Sequence, residues 1–168
     1  WLEVQFPKVF IEEINQYIDD VVIPNDKDYS NKLVGQLSSD KSAQLNFPLK
    51  EHETGVQFKK VLENIGKSFI QKPYNRMSSA ECFECWTVHS YEGDYNPLHD
   101  HGVQTQSGLS CILYLKVPDS IKNKPKIEVP NLNHASGEID GWTQFQWGAN
   151  TMKDIYQLRE QTQHVVRP

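Results

Sequence analysis

Two histidines separated by one residue, His99 and His101, stand in the turn-rich stretch YEGDYNPLHDHG, residues 91–102. If this stretch leads into a strand, both side chains point to the same face, with their Cα atoms about 6–7 Å apart. Two neutral imidazoles on one face can share a metal ion, and imidazole suits Zn, Fe, Cu and Ni. The pair therefore predicts a metal site. The alternative is two surface or core histidines with ordinary hydrogen bonds.

An open mononuclear site needs a third protein ligand from elsewhere in the chain. His164 is the best placed, because QHVVR is a strand-like apolar segment near the end of the sequence. We therefore predict that His99, His101 and His164 bind one metal ion and leave three positions open. The other possible ligands are the acidic residues and His52, His89, His134, Cys82 and Cys85.

Two segments that precede the histidines have the apolar periodicity of helices. Apolar residues recur at helical spacing from Phe10 to Val21 and again from Phe58 to Phe69. We predict helices near residues 7–22 and 55–71, with Pro24 ending the first and Thr54 capping the second. Residues 31–50 are mixed and turn-rich, with one short strand candidate at 33–37, and stay unassigned.

From residue 80 onward the apolar residues alternate or cluster as they do in strands. Pro, Gly and Asn clusters separate the segments, which is typical of short antiparallel strands. The order of helices followed by strands predicts an α+β fold in which a β-sandwich or jelly roll is backed by N-terminal helices. We predict one domain over residues 1–168, with helical support at about 1–75 and a β core at about 80–168. The predicted strands are 80–91, 109–117, 126–129, 142–147, 154–160 and 163–167.

Composition narrows the classes of protein and partner. The 168 residues are 38% hydrophobic and have a formal net charge of −5, with no cluster of Lys and Arg. These values argue against nucleic acid or an anionic membrane as the main partner. No apolar run approaches the roughly 18 residues of a membrane span, and residues 1–10 do not resemble a signal peptide. Three cysteines do not form a secreted disulfide framework. We expect a soluble, cytoplasmic protein.

A family resemblance rests on Tyr91, Gly93, Tyr95, Pro97 and His99, followed by SGLSCILYLKVP at residues 107–118. This run resembles the start of the double-stranded β-helix core of Fe(II)/2-oxoglutarate-dependent oxygenases. It is most similar to the prolyl-4-hydroxylase-like branch, and there to small uncharacterised members from bacteria and phages. That branch has a distal histidine in a pattern like HxVxP, which residues 164–168 match.

The resemblance implies a fold, cofactors and an activity. The fold would be a jelly-roll core that the two helices support, and the cofactors would be Fe(II) and 2-oxoglutarate. The three open metal positions would be enough for a bidentate 2-oxoacid and dioxygen. The activity would be hydroxylation of a peptidyl residue or a small molecule, in the cytoplasm of a bacterium or of a phage's host. Residues 119–150, where a substrate loop would lie, do not specify a substrate.

Two departures from the family pattern concern the ligands. His101 stands where the family has a carboxylate, so the site would have three imidazoles unless Asp100 is the second ligand. The family's basic residue for the far carboxylate of 2-oxoglutarate lies further past the distal histidine than this sequence extends. We expect the last strand to follow Pro168, or the cosubstrate to be held differently, for example by Arg159 or Arg167.

Tyr95, Tyr114 and Arg167 are the residues we predict to bind the cosubstrate. Tyr95 matches the family's turn tyrosine. Tyr114 faces away from the Leu and Cys side of its predicted strand. Simple core packing is the alternative role for both tyrosines.

Three other functions fit parts of the sequence. Cys82-x-x-Cys85 has zinc-ligand spacing, with His89 or His99 completing the site, although residues three apart face opposite sides of a strand. A cupin-like three-histidine dioxygenase without a 2-oxoacid would use the same metal residues. A non-catalytic β-sandwich binding module would use the tryptophans as ligand platforms, namely Trp86, Trp142 and Trp147.

Overall fold

The structure is a computed structural model of the chain. The chain divides into two compact units, Trp1–Ile112 and Leu113–Pro168. The single domain expected from the sequence stays a prediction. The described residues are 2–30, 33, 35, 43–75, 79–97, 99, 108–123, 141–147 and 162–166.

The first predicted helix is confirmed and continues slightly further than expected. Helix α1, Lys8–Tyr17, runs directly into a π-helical turn, Ile18–Val22, and then into the short helix α2, Ile23–Asn25. Pro24 does not end the helical segment; it lies in α2, directly after the π-helical turn. The segment ends at Asp26, whose φ of 42° is left-handed.

Helix α3, Glu53–Tyr74, confirms the second predicted helix and is longer at both ends. The prediction that Thr54 caps it is wrong, because the extended residue at its N-terminus is His52, with φ −132° and ψ 152°. Thr54 lies within the first turn instead. The helix ends at Asn75, which has a left-handed φ of 45°, a conformation that asparagine tolerates better than most residues.

A stretch that the sequence left unassigned forms the centre of the first unit. Phe47 is 3% exposed and makes edge-on aromatic contacts with Tyr17 of α1 and Phe58 of α3, with ring centroids 5.2 and 5.3 Å apart. Both helices therefore pack on the segment around strand β1, Gln44–Asn46. The buried apolar residues of this core are Ile14, Tyr17, Ile18, Val22, Ala43, Leu45, Phe47, Leu49 and Phe58.

Strand β1 pairs in antiparallel fashion with strand β2, Trp86–Val88. Leu45 lies opposite Thr87 in this pair. Two backbone hydrogen bonds continue the pairing beyond the strands, from Phe47 N–H to the Cys85 carbonyl at 3.0 Å and from His89 N–H to the Ala43 carbonyl at 2.8 Å. The predicted strand at 80–91 is thus confirmed only in its central part.

The second unit contains another antiparallel pair. Strand β3, Thr143–Trp147, pairs with strand β4, Thr162–Val166, with Phe145 opposite His164. These strands confirm the predictions at 142–147 and 163–167. The short helix α4, Asp119–Lys122, lies in the same unit.

The predicted strand at 109–117 is not formed, because residues 108–118 have no regular secondary structure. Leu109 and Ile112 are 53% and 52% exposed there. Alternating apolar residues indicate which face a strand would bury, but a strand also needs a hydrogen-bonded neighbour, which alternation does not specify. The predicted strands at 126–129 and 154–160 lie outside the described residues.

The architecture confirms an α+β fold with small antiparallel sheets. In the ranges described, each sheet has two strands, and a jelly-roll core is not shown. That core stays a prediction. None of the helices in these ranges combines the length and the apolar character that crossing a bilayer requires.

Candidate metal site

The turn before His99 is closed by Asp94. The carboxylate of Asp94 accepts a hydrogen bond from Tyr91 N–H at 2.7 Å, and Asp94 N–H donates to the Tyr91 carbonyl at 3.1 Å. Gly93 lies between them with φ 87°, a conformation that favours glycine. These bonds fix the path by which residues 95–97 leave the turn toward His99.

The imidazole of His99 is oriented by the backbone just before it. Its Nδ1 lies 2.8 Å from the carbonyl oxygen of Pro97. A carbonyl oxygen can only accept, so Nδ1 carries the proton and, in the neutral ring, the lone pair is on Nε2. Metal-binding histidines are commonly fixed in this way, with the second ring nitrogen donating to a carbonyl or a carboxylate. The tautomer of His99 therefore fits a metal ligand that binds through Nε2.

The other predicted metal ligands are placed less completely. His164 lies on strand β4, in the second unit, where its backbone pairs with Phe145. His101 and its alternative, Asp100, lie outside the described residues. Among the residues that are described, no three side chains of His, Cys, Asp or Glu are grouped so that they could hold a metal ion. Ligation by His99, His101 and His164 stays a prediction.

Tyr95, one of the predicted cosubstrate-binding residues, is 64% exposed. Tyr114 donates a hydrogen bond to Thr143 Oγ1 at 2.6 Å, which ties it to strand β3. Burial raises the pKa of Tyr114, and the hydrogen bond with Thr143 opposes this change. The hydroxyl of Tyr114 therefore stays protonated at neutral pH and can act as a hydrogen-bond donor. Arg167 lies outside the described residues.

The Cys82-x-x-Cys85 segment is tied to helix α3. Cys82 N–H donates to the Glu63 carboxylate at 3.1 Å, and Glu63 in turn pairs with Lys59 at 2.8 Å. Both cysteines are free thiols. Burial is the main cause that raises the pKa of Cys82. Burial, with smaller contributions from the neighbouring Cys82 and Cys111, raises the pKa of Cys85 to about 12. Zinc binds the thiolate form, so deprotonation would add to the cost of a zinc site here.

The tryptophan of strand β2 is engaged within the first unit. Trp86 stacks on Tyr29 with ring centroids 5.4 Å apart and planes inclined by 20°. A stacked pair has one face of each ring already covered. This arrangement favours a packing role for Trp86 over the ligand platform that a binding module would need.

The sequence reasoning missed the partners of the His99 turn. Gly35 lies against the turn at Tyr95 and Asn96, and the carboxylate of Asp94 closes it. The Gly-Asp pair within YEGDY is a turn signal that could have identified Asp94, since Asp side chains commonly bond nearby backbone N–H groups. Nothing in the local sequence identifies Gly35, which is distant along the chain.

Comparison with known proteins adds no family to these observations. No protein-family model, curated protein or solved structure matches the chain. The functional interpretation therefore rests on the residues quoted above and on the geometry of the His99 turn.

Proposed function

We propose that the chain is an Fe(II)/2-oxoglutarate-dependent oxygenase that hydroxylates a peptidyl residue or a small molecule. The observation that carries the proposal is the 2.8 Å contact between His99 Nδ1 and the Pro97 carbonyl oxygen, from which the tautomer follows. The His99 Nδ1–H is bonded to the Pro97 carbonyl, and the Nε2 lone pair suits a metal ion. The order of the turn, His99 and the distal His164 along the sequence supports the same family.

The proposed metal ligands are His99, His101 and His164, with Asp100 as the alternative second ligand. Their imidazoles suit Fe(II), although the same chemistry also binds Zn, Cu and Ni. Bound Fe(II) with 2-oxoglutarate supplies the oxygen activation that hydroxylation of a C–H bond needs, and this chemistry belongs to the cofactor. The chain's own residues hold the metal, orient the cosubstrate and exclude water.

Binding of 2-oxoglutarate is assigned to Tyr95, Tyr114 and Arg167. Tyr114 supplies a protonated hydroxyl, because a phenol is protonated at neutral pH and burial raises the pKa of this one further. It would exchange its bond to Thr143 for one to a carboxylate oxygen of the cosubstrate. A guanidinium is the usual partner for a carboxylate, since its paired N–H groups match the two oxygens. We assign that role to Arg167.

The same resemblance suggests the fold, the compartment and the substrate of the proposed enzyme. The core would be a double-stranded β-helix, of which β3 and β4 are two adjacent strands. The protein would act in the cytoplasm on a small-molecule cosubstrate and an unidentified substrate. The net charge of −5 disfavours nucleic acid as that substrate.

A second candidate function is a three-histidine dioxygenase of cupin type that uses no 2-oxoacid. It is favoured by one feature, the histidine at position 101 where the oxygenase family has a carboxylate. It uses the same metal ligands and does not need a cationic partner for a cosubstrate carboxylate. The two functions therefore differ in whether 2-oxoglutarate is consumed.

The test of the proposed function is turnover of 2-oxoglutarate. The purified protein, supplied with Fe(II), oxygen and 2-oxoglutarate, should release succinate even without the natural substrate, at the slow rate of uncoupled turnover. The His99→Ala variant should release none. His52→Gln is the matched control. It also removes a histidine, but His52 lies at the start of α3 against Tyr17 and is not one of the proposed ligands. Metal binding without succinate release would favour the cupin-type function instead.

A further inference from the structure

Gly35 lies in close contact with the backbone of the turn that leads to His99. A Cβ atom at Gly35 would be 2.5 Å from the Tyr95 carbonyl oxygen, 3.0 Å from Asn96 Cα and 3.2 Å from Asn96 Oδ1. The two shortest distances involve backbone atoms, which cannot rotate away as a side chain can. Any side chain at position 35 therefore requires the turn, or the backbone at residue 35, to move.

The need for glycine at this position is steric. The positive-φ glycines in the described part of the chain are Gly93 and Gly141. Gly35 has no such φ, so its backbone conformation is one that alanine can adopt. A substitution at Gly35 would therefore act through the contact with the turn.

A displacement of the turn at Tyr95 and Asn96 would move the carbonyl group that holds the His99 ring. Asn96 is followed directly by Pro97, and the Pro97 carbonyl accepts the hydrogen bond from His99 Nδ1–H at 2.8 Å. Earlier in the same turn, a Cβ at Gly93 would meet none of the described atoms within 4 Å. A methyl group at position 35 can thus push the turn outward and shift the acceptor that fixes the His99 ring.

We propose that Gly35 is a positioning residue for His99. Its missing side chain lets the Tyr95–Pro97 segment lie where the Pro97 carbonyl holds the proton of His99 on Nδ1. This inference rests on the proposed function for its relevance to metal binding. The tautomer of His99 can be measured without metal, so the two proposals can fail separately.

The experiment compares Gly35→Ala with Gly66→Ala. A Cβ at Gly66 would lie 3.3 Å from Ala80 Cβ and 3.5 Å from Leu109 Cδ1, contacts with side-chain atoms that small shifts relieve. Both variants add one methyl group to the same unit. Nitrogen-15 chemical shifts of the histidine rings report the tautomer in the metal-free protein, and the His99→Gln variant assigns the signal. Mn(II) titration reports metal affinity.

We expect the His99 signal of the unaltered protein and of Gly66→Ala to show the proton on Nδ1. Gly35→Ala should show the two tautomers mixed, and its Mn(II) affinity should fall roughly ten- to a hundredfold, the usual cost of losing a hydrogen bond that orients a metal ligand. Circular dichroism and thermal unfolding should show that both variants are folded.

Three results would discriminate the alternatives. An unchanged tautomer and an unchanged affinity in Gly35→Ala would overturn the positioning role. Failure of Gly35→Ala to fold, while Gly66→Ala folds, would overturn it too, because Gly35 would then serve the fold alone. A changed tautomer in a protein that binds no metal would support the positioning role and count against the proposed function.

Discussion

The chemistry of a histidine depends on what its second ring nitrogen contacts. In His99 that contact is the carbonyl of Pro97, two residues earlier, so the ring orientation is set within the same short segment. The sequence predicted the turn that precedes His99, because Gly, Asp, Asn and Pro have known turn preferences. It did not predict the tautomer or the contact with Gly35, since both depend on atomic positions that residue types do not specify.

At the same scale, the Asp94 carboxylate should affect His99 indirectly. Asp94→Ala removes the acceptor of the 2.7 Å bond from Tyr91 N–H and loosens the turn. The unfolding free energy should fall by about 1 kcal/mol or less, because the bond is at the surface. We expect a several-fold loss of Mn(II) affinity, measured by titration. Asp94→Asn, which keeps an acceptor oxygen, should behave much like the unaltered protein, and equal loss in both variants would contradict the account.

The cysteine pair should play no part in metal binding. Replacing Cys82 and Cys85 with serine should leave the metal content, measured by elemental analysis, unchanged, because the proposed ligands are histidines and neither cysteine belongs to a group of three possible ligands among the described residues. Their ligand role would require a thiolate. Loss of bound zinc in this double variant would show that the Cys82-x-x-Cys85 segment is the metal site after all.

At the scale of elements, helices were more predictable than strands. Helices α1 and α3 have apolar residues on one face, and their positions follow from a spacing of about 3.6 residues per turn. The ends of these helices do not follow from that spacing. No side-chain hydrogen bond caps α3 at His52, and the helical segment that starts with α1 continues through Pro24 in α2. Strand β1 was missed although apolar and polar residues alternate from Ala43 to Phe47, because a three-residue strand gives only a short pattern and Pro48 directly follows the alternating run.

The central packing of the first unit makes a further prediction. Phe47→Ala should lower the unfolding free energy by about 3–5 kcal/mol, because it removes a buried ring that contacts Tyr17 and Phe58. Phe83→Ala is the matched control, since Phe83 is 58% exposed and its loss should cost little. Urea unfolding of both variants measures the difference. Similar losses would mean that the segment around β1 is not the core.

At the scale of the whole molecule, the proposed metal ligands are far apart in the sequence. His99 belongs to the first compact unit and His164 to the second. Local patterns predicted where each histidine stands along the chain, but the long-range pairing of a jelly roll is not determined by local alternation. Metal binding by both residues would therefore be evidence for the predicted core as well as for the site.

The most direct test of the central claim is the metal content of the histidine variants. The protein is loaded with Fe(II) under anaerobic conditions, desalted and measured by elemental analysis. We predict one iron per chain in the unaltered protein and in His52→Gln, and loss of most of the iron in each of His99→Ala, His101→Ala and His164→Ala. Full iron content in His99→Ala would contradict the account, because the ring that the Pro97 carbonyl orients would then not be a ligand.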